Sequence, residues 1–108
     1  MKTYNKMVRN KIPYVINESG KECEWFELDN EEDQKNYIKL KLIEEMTELC
    51  LANTNEERTE EIADIMEVLD AYMKTYGIDK MDVEFKKLHK KEERGGFDNF
   101  VILQTVTD

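Results

Sequence analysis

Two long stretches of the chain carry apolar residues at helical spacing. Ile38, Leu42 and Leu49 fall on one helical face at i, i+4 and i+11, and the intervening i+7 place on that face is held by an acid, Glu45. Further on, Ile62, Ile65, Met66, Leu69, Tyr72, Met73 and Tyr76 recur three and four residues apart, the pattern of an amphipathic helix with a wide buried stripe. Pro13 is the only proline, and the glycines fall at 20, 77, 95 and 96, which leaves long interior stretches free of helix breakers. Asp29 or Asn30 can cap a helix over about 31–52, and Asn53-Thr54-Asn55 breaks it. Thr54-x-x-Glu57 reads as a capping box opening the next helix, which Gly77 closes. Asp79 starts a third helix through Met81, Phe85 and Leu88, and Gly95-Gly96 ends it. A short helix begins near Pro13 and stops before Gly20. Residues 23–28 partly alternate and could pair as a strand with the apolar tail at 97–106. The expected fold is therefore mainly all-α. It is an antiparallel bundle of three long helices plus a short N-terminal helix, with room for a small two-stranded β element.

At 108 residues the chain is read as a single domain. Leu, Ile, Val and Phe make up 26 residues, enough apolar content for a folded core despite a charged fraction of 38%. The net charge of −9 argues against generic nucleic-acid binding. Its distribution says more than its total. Residues 1–17 hold Lys2, Lys6, Arg9 and Lys11 with no acid, residues 18–70 carry a net −13, and residues 71–108 balance. No stretch is apolar enough to span a bilayer and no signal-peptide core is present, so no membrane partner and a cytoplasmic location are expected. Cys23 and Cys50 are too isolated for a zinc motif or a disulfide framework, and are read as reduced thiols, Cys50 packed on a helix. Ser19 and His89 are the only serine and histidine and lie in no nucleophile motif; His89, among lysines, is given no role. There is no phosphate-binding glycine loop. Any chemistry must rest on carboxylates, lysines and arginines.

The acids are placed where such chemistry could arise. Glu45 interrupts an apolar row and Glu48 lies beside it, one turn on; Glu61 and Asp64 share a face of the next helix, in a row that continues through Val68 and Ala71. Two antiparallel helices joined by a short loop bring these pairs together close to that loop. Two carboxylates 4 Å apart repel by about 4 kcal/mol at an effective dielectric near 20. A cation removes the conflict, and oxygen donors without His or Cys favour Mg²⁺ or Mn²⁺, with phosphate groups completing the shell. The competing explanation is a solvated acidic surface in a Glu-rich chain. Glu67 and Asp70 fit that explanation.

Three segments strengthen the cation reading. Lys41-Leu42-Ile43-Glu44-Glu45-Met46-Thr47-Glu48, followed by Glu60-Glu61-Ile62-Ala63-Asp64-Ile65-Met66-Glu67-Val68, resembles the K-L-x-E-E-x-x-E … E-E-x-A-D-x-x-E-V signature of the MazG-like all-α nucleotide pyrophosphohydrolases. The opening Tyr4-Asn5-Lys6-Met7-Val8-Arg9-Asn10-Lys11-Ile12-Pro13 looks like the Y-N-K-L-V-R-D-K-I-P of the phosphoribosyl-ATP pyrophosphohydrolase-like branch, and Arg94-Gly95-Gly96-Phe97 looks like its R-G-G-F element. The resemblance spans about residues 4–104. Asn10 departs from it, standing where that branch usually has Asp.

The resemblance implies a Mg²⁺-dependent nucleoside triphosphate pyrophosphohydrolase that cleaves between the α and β phosphorus atoms, giving a monophosphate and pyrophosphate, with a house-cleaning role in view. Its implied metal ligands are Glu45, Glu48, Glu61 and Asp64, with Glu44 as a supporting or water-orienting acid. It further implies a homodimer or higher homo-oligomer. Lys6, Arg9, Lys11, Lys91 and Arg94 are the candidate phosphate contacts, Arg suiting a bidentate grip and Lys a point charge. Lys41, one turn before Glu45, is placed to salt-bridge the acids instead. Trp25 or a tyrosine could stack on a base, but Tyr72 and Tyr76 follow the core stripe and the methionines read as core filler. Two other classes fit part of the pattern: a non-catalytic helical oligomerisation module, and a metal-nucleotide sensor without turnover.

Overall fold

A computed structural model describes residues 1–108. The chain is all-α, with four helices: α1 (Ile12–Glu18), α2 (Glu31–Leu51), α3 (Asn55–Tyr76) and α4 (Lys80–Arg94). Residues 23–28 and 97–106 form no strands, so the two-stranded element expected there is absent. The tail turns instead: Phe100 takes a left-handed φ of 54° and its N–H donates to the Phe97 carbonyl, a bend that breaks an extended ladder at its first residues.

Local chemistry explains the helix ends. Asn30 caps α2, its side chain accepting from the Asp33 N–H at 3.1 Å, and Glu31, Glu32 and Asp33 place negative charge at the positive end of the helix dipole. Thr54 caps α3 by accepting from the Glu57 N–H at 3.1 Å. Glu57 reaches back in turn, but its carboxylate accepts from the N–H of Asn53 rather than that of Thr54, one residue further out than in the standard box. Gly77 at φ 68° closes α3 in the left-handed conformation, where a side chain would strain the backbone. Asp79 caps α4 through the Met81 N–H.

By its internal contacts the chain divides into two units, Met1–Gly77 and Ile78–Asp108. In the first, α2 and α3 pack against each other, joined only by residues 52–54. The pairing is antiparallel: Glu45 meets Glu61 near the loop, while Lys35 and Lys39 lie over the ring of Tyr76 at the far end, 5.0 and 5.9 Å from its centroid. Tyr72 stacks on Tyr76 at 4.7 Å between ring centroids. Ile38 and Val68 are the buried apolar residues, with Leu42, Leu49, Ile65, Tyr72, Met73 and Tyr76 half-buried around them. The stripe expected on α3 is thus covered on one side only, since Ile62, Met66 and Leu69 remain exposed. One neighbouring helix is too narrow to cover a stripe that wide. The second unit consists of α4 and the irregular tail; Met81, Phe85 and Leu88 form an exposed apolar row along α4. Cys23 is half-buried, and Cys50 lies on α2 but is exposed rather than packed.

Candidate metal centre

The third residue buried in the first unit is Glu45, 5% exposed and in the same row as Ile38, Leu42 and Leu49. Helix periodicity puts it there. The row is dictated by its apolar members, and the acid is carried inward with them. Because α2 and α3 run antiparallel, Glu45 meets the α3 acids across the interface. Two overlapping groups result: Glu44, Glu45 and Glu48 along α2, and Glu45, Glu61 and Asp64 across the two helices. Within each group one oxygen per residue lies within 4.8 Å of the others, and Glu45 belongs to both. Opposite ligands of an octahedral Mg²⁺ stand about 4.2 Å apart, so small side-chain adjustments suffice for coordination.

The positive charges around the acids divide into two kinds. Lys41, on α2 itself and nearly buried, places Nζ 3.2 Å from Glu45 Oε1 and 3.3 Å from Glu44 Oε2. The others come from the N-terminal segment: Lys6 Nζ lies 2.9 Å from Glu44 Oε1, and Arg9 Nη2 donates to Asp64 Oδ1 at 2.7 Å. Burial alone would raise the pKa of Glu44, but the hydrogen bonds and charges of Lys6 and Lys41 outweigh it and hold the carboxyl below its usual value. Lys6 is raised mainly by its hydrogen bond to Glu44, and Arg9 mainly by its bond to Asp64.

Glu61 pairs with none of these bases. Desolvation, then hydrogen bonding to Glu45 and Glu48, and then their charges push it up from 4.5 to about 7. Its Oε2 and the Oε2 of Glu45 are buried without a hydrogen-bond partner. A cation bound among these acids would partner both oxygens and offset the like charges. The donor set is entirely carboxylate, which suits a hard divalent ion.

No protein-family model, curated protein or solved structure matches the chain. The family likeness therefore rests on the three sequence segments, and the site rests on its own geometry.

The structure brings all five sequence-expected acids, Glu44, Glu45, Glu48, Glu61 and Asp64, into these two groups. Lys6 and Arg9 reach the same place, but as partners of the acids. Lys11 stands at the N-cap of α1 and pairs with none of the acids. Lys91 and Arg94 lie in the last turn of α4, in the second unit. Trp25 is exposed, and His89 pairs with Glu93 one turn on. Sequence reasoning missed that Lys6 and Arg9 pair with the acids. The signal was present in the juxtaposition of an acid-free N-terminus and a strongly acidic centre.

The shifted Glu61 has a measurable consequence. The unfolded chain loses this proton near pH 4.5 and the folded chain near 7, so its contribution to stability is full below 4.5 and is lost as pH rises through 7. Without divalent cations, thermal melts are expected to show stability falling from pH 5.5 to pH 8, and Glu61→Gln is expected to flatten that slope. An identical slope in the variant would remove Glu61 as its origin.

Proposed function

We propose that this protein is a Mg²⁺-dependent nucleoside triphosphate pyrophosphohydrolase, releasing a nucleoside monophosphate and pyrophosphate. The observation that carries the reading is Glu45, a buried acid with an unpartnered oxygen, shared by two carboxylate groups on neighbouring helices. Solvated surface acids do not occupy such a position. The order and spacing of the three family-like segments supports the choice of reaction.

Glu45, Glu48, Glu61 and Asp64 would hold the metal, with Mn²⁺ as an alternative to Mg²⁺. A bound divalent ion supplies Lewis acidity and a water of lowered pKa. Glu44, pinned between Lys6 and Lys41, is placed to orient a water by accepting its hydrogen bond. As ligands Glu45 and Glu61 would both be ionised, so a divalent ion held there would compete with the proton on Glu61. Lys6 and Arg9, which lie against Glu44 and Asp64, would be the phosphate contacts beside the metal.

The proposal includes self-assembly, in a homodimer or larger homo-oligomer. The uncovered rows Ile62, Met66 and Leu69 on α3 and Met81, Phe85 and Leu88 on α4 would supply its apolar surface. The location proposed is cytoplasmic; no helix is long and apolar enough to cross a membrane.

The test is incubation of the protein with a panel of nucleoside triphosphates and Mg²⁺, measuring pyrophosphate and monophosphate. Release of both in equal amounts, abolished by chelation, is expected. Binding of Mg²⁺-nucleotide without release would make the protein a sensor. Binding of neither would make it an assembly module.

A further inference from the structure

The N-terminal segment is fastened to the carboxylates in an unusual way. Residues 1–8 make no backbone hydrogen bond to the rest of the chain, and the first such bond is from the Ile12 N–H to the Arg9 carbonyl. Met7 is half-buried, and Asn5 turns the segment through a left-handed φ of 47°, which asparagine tolerates better than most residues. What ties the segment across the two helices is one ion pair to each: Lys6 to Glu44 on α2 and Arg9 to Asp64 on α3. Its four basic residues have no acid among them.

We propose that this segment is an exchangeable counter-ion strap. Lys6 and Arg9 neutralise the carboxylates when no divalent cation is bound, and cation entry displaces Arg9 from Asp64, freeing it for an anionic ligand. The inference rests on the metal reading of the site. Lys41 provides the contrast that supports it. It is anchored on α2, its side chain is 13% exposed, and it touches Glu44 and Glu45 together, which makes it a permanent counter-charge. Arg9 and Asp64 are 56% and 36% exposed, so water and salt screen their pair, and it is weak enough to exchange. The charge balance agrees. With all five carboxylates ionised, Lys41, Lys6 and Arg9 leave a net −2, and release of Arg9 leaves −3, a deficit that a divalent cation offsets. Asp64, whose Oδ1 Arg9 holds, is one of the acids that group with Glu45.

The test is Mn²⁺ binding without nucleotide, followed by the electron paramagnetic resonance signal of the free ion, in the wild type, Arg9→Gln and Lys2→Gln. Lys2 carries the same charge on the same segment, but it lies over the Tyr4 ring and pairs with no acid. Removing a competing exposed ion pair is expected to tighten Mn²⁺ binding about 2- to 5-fold in Arg9→Gln. Lys2→Gln should match the wild type. In parallel, Mg²⁺ should move the Arg9 side-chain Nε resonance, assigned by its loss in Arg9→Lys, toward that of a free arginine. Equal affinity in the wild type and Arg9→Gln would overturn the strap and leave the metal site standing. Weaker binding in Arg9→Gln would make Arg9 a support of the site and also overturn the strap. No Mn²⁺ binding by any form would overturn both readings.

Discussion

Glu45→Gln is expected to lower pyrophosphate release by about 10³-fold or more while leaving the metal-free protein at least as stable as the wild type. The two halves of this expectation share one cause. Glu45 stands in both carboxylate groups, so removing its charge takes a ligand from each, and the remaining acids no longer converge on a common point. The same charge is a burden to the empty fold. It sits 5% exposed in an apolar row, with an unpartnered oxygen and other acids within 4.8 Å. Glutamine keeps the shape and removes the repulsion. Lys41 loses one partner but retains Glu44 at 3.3 Å, so no buried cation is orphaned. Three measurements check the expectation: turnover, the melting temperature without metal, and the rise in melting temperature on adding Mg²⁺, which should disappear. Turnover within tenfold of the wild type in a folded variant would remove Glu45 from the site. A sharp fall in metal-free stability would instead mean that its bond to Lys41 outweighs the repulsion.

How far such a site could be read beforehand depends on the interaction involved. Helical period alone put Glu45 in line with Ile38, Leu42 and Leu49, and in the structure Ile38 and Glu45 are buried and Leu42 and Leu49 half-buried. Thr54, Gly77 and Asp79 marked helix ends because capping is local, a matter of one side chain and an N–H two or three residues away. The antiparallel meeting of α2 and α3 followed from the three-residue connection. Pairing at long range was less legible. The alternation at 23–28 and the apolar tail suggested two strands, yet nothing local to either segment specifies a partner, and the turn at Phe100 was invisible to a period-two pattern. The destination of Lys6 and Arg9 was hidden for a related reason. A base in an irregular segment has no periodicity to aim it, and only the charge contrast between the first 17 residues and the centre hinted at its target.

The breadth of the α3 stripe, also read from period, leads to the other large effect. In solution the chain is expected at a multiple of 12.9 kDa, and Met66→Lys is expected to dissociate the assembly and lower its melting temperature by 10 °C or more, on the order of 2 kcal/mol for a domain this size. Ile62, Met66 and Leu69 stand at i, i+4 and i+7, and are 47%, 61% and 39% exposed. Their neighbours one step round the helix, Ile65 and Val68, already face α2. On α2, Leu40 and Ile43, three residues apart, are likewise exposed at 60% and 56%. Exposed apolar residues at helical spacing on both helices of a hairpin whose buried apolar residues are Ile38 and Val68 are more than scattered surface hydrophobicity, and apolar surface of this kind marks a binding face. A second copy is the simplest occupant, because a two-fold contact uses the same rows on both partners. Met66 lies between the ligand acid Asp64 and the core residue Val68 in sequence but points away from both, so a lysine there tests the outer face without touching the carboxylates. Light scattering with size-exclusion chromatography decides the matter. A wild type that runs at 12.9 kDa at micromolar concentration would sink the assembly. A Met66→Lys variant that keeps wild-type mass and melting temperature would move the interface elsewhere. If the variant dissociates but still binds Mn²⁺ as the wild type does, assembly and metal binding are separate properties of the hairpin.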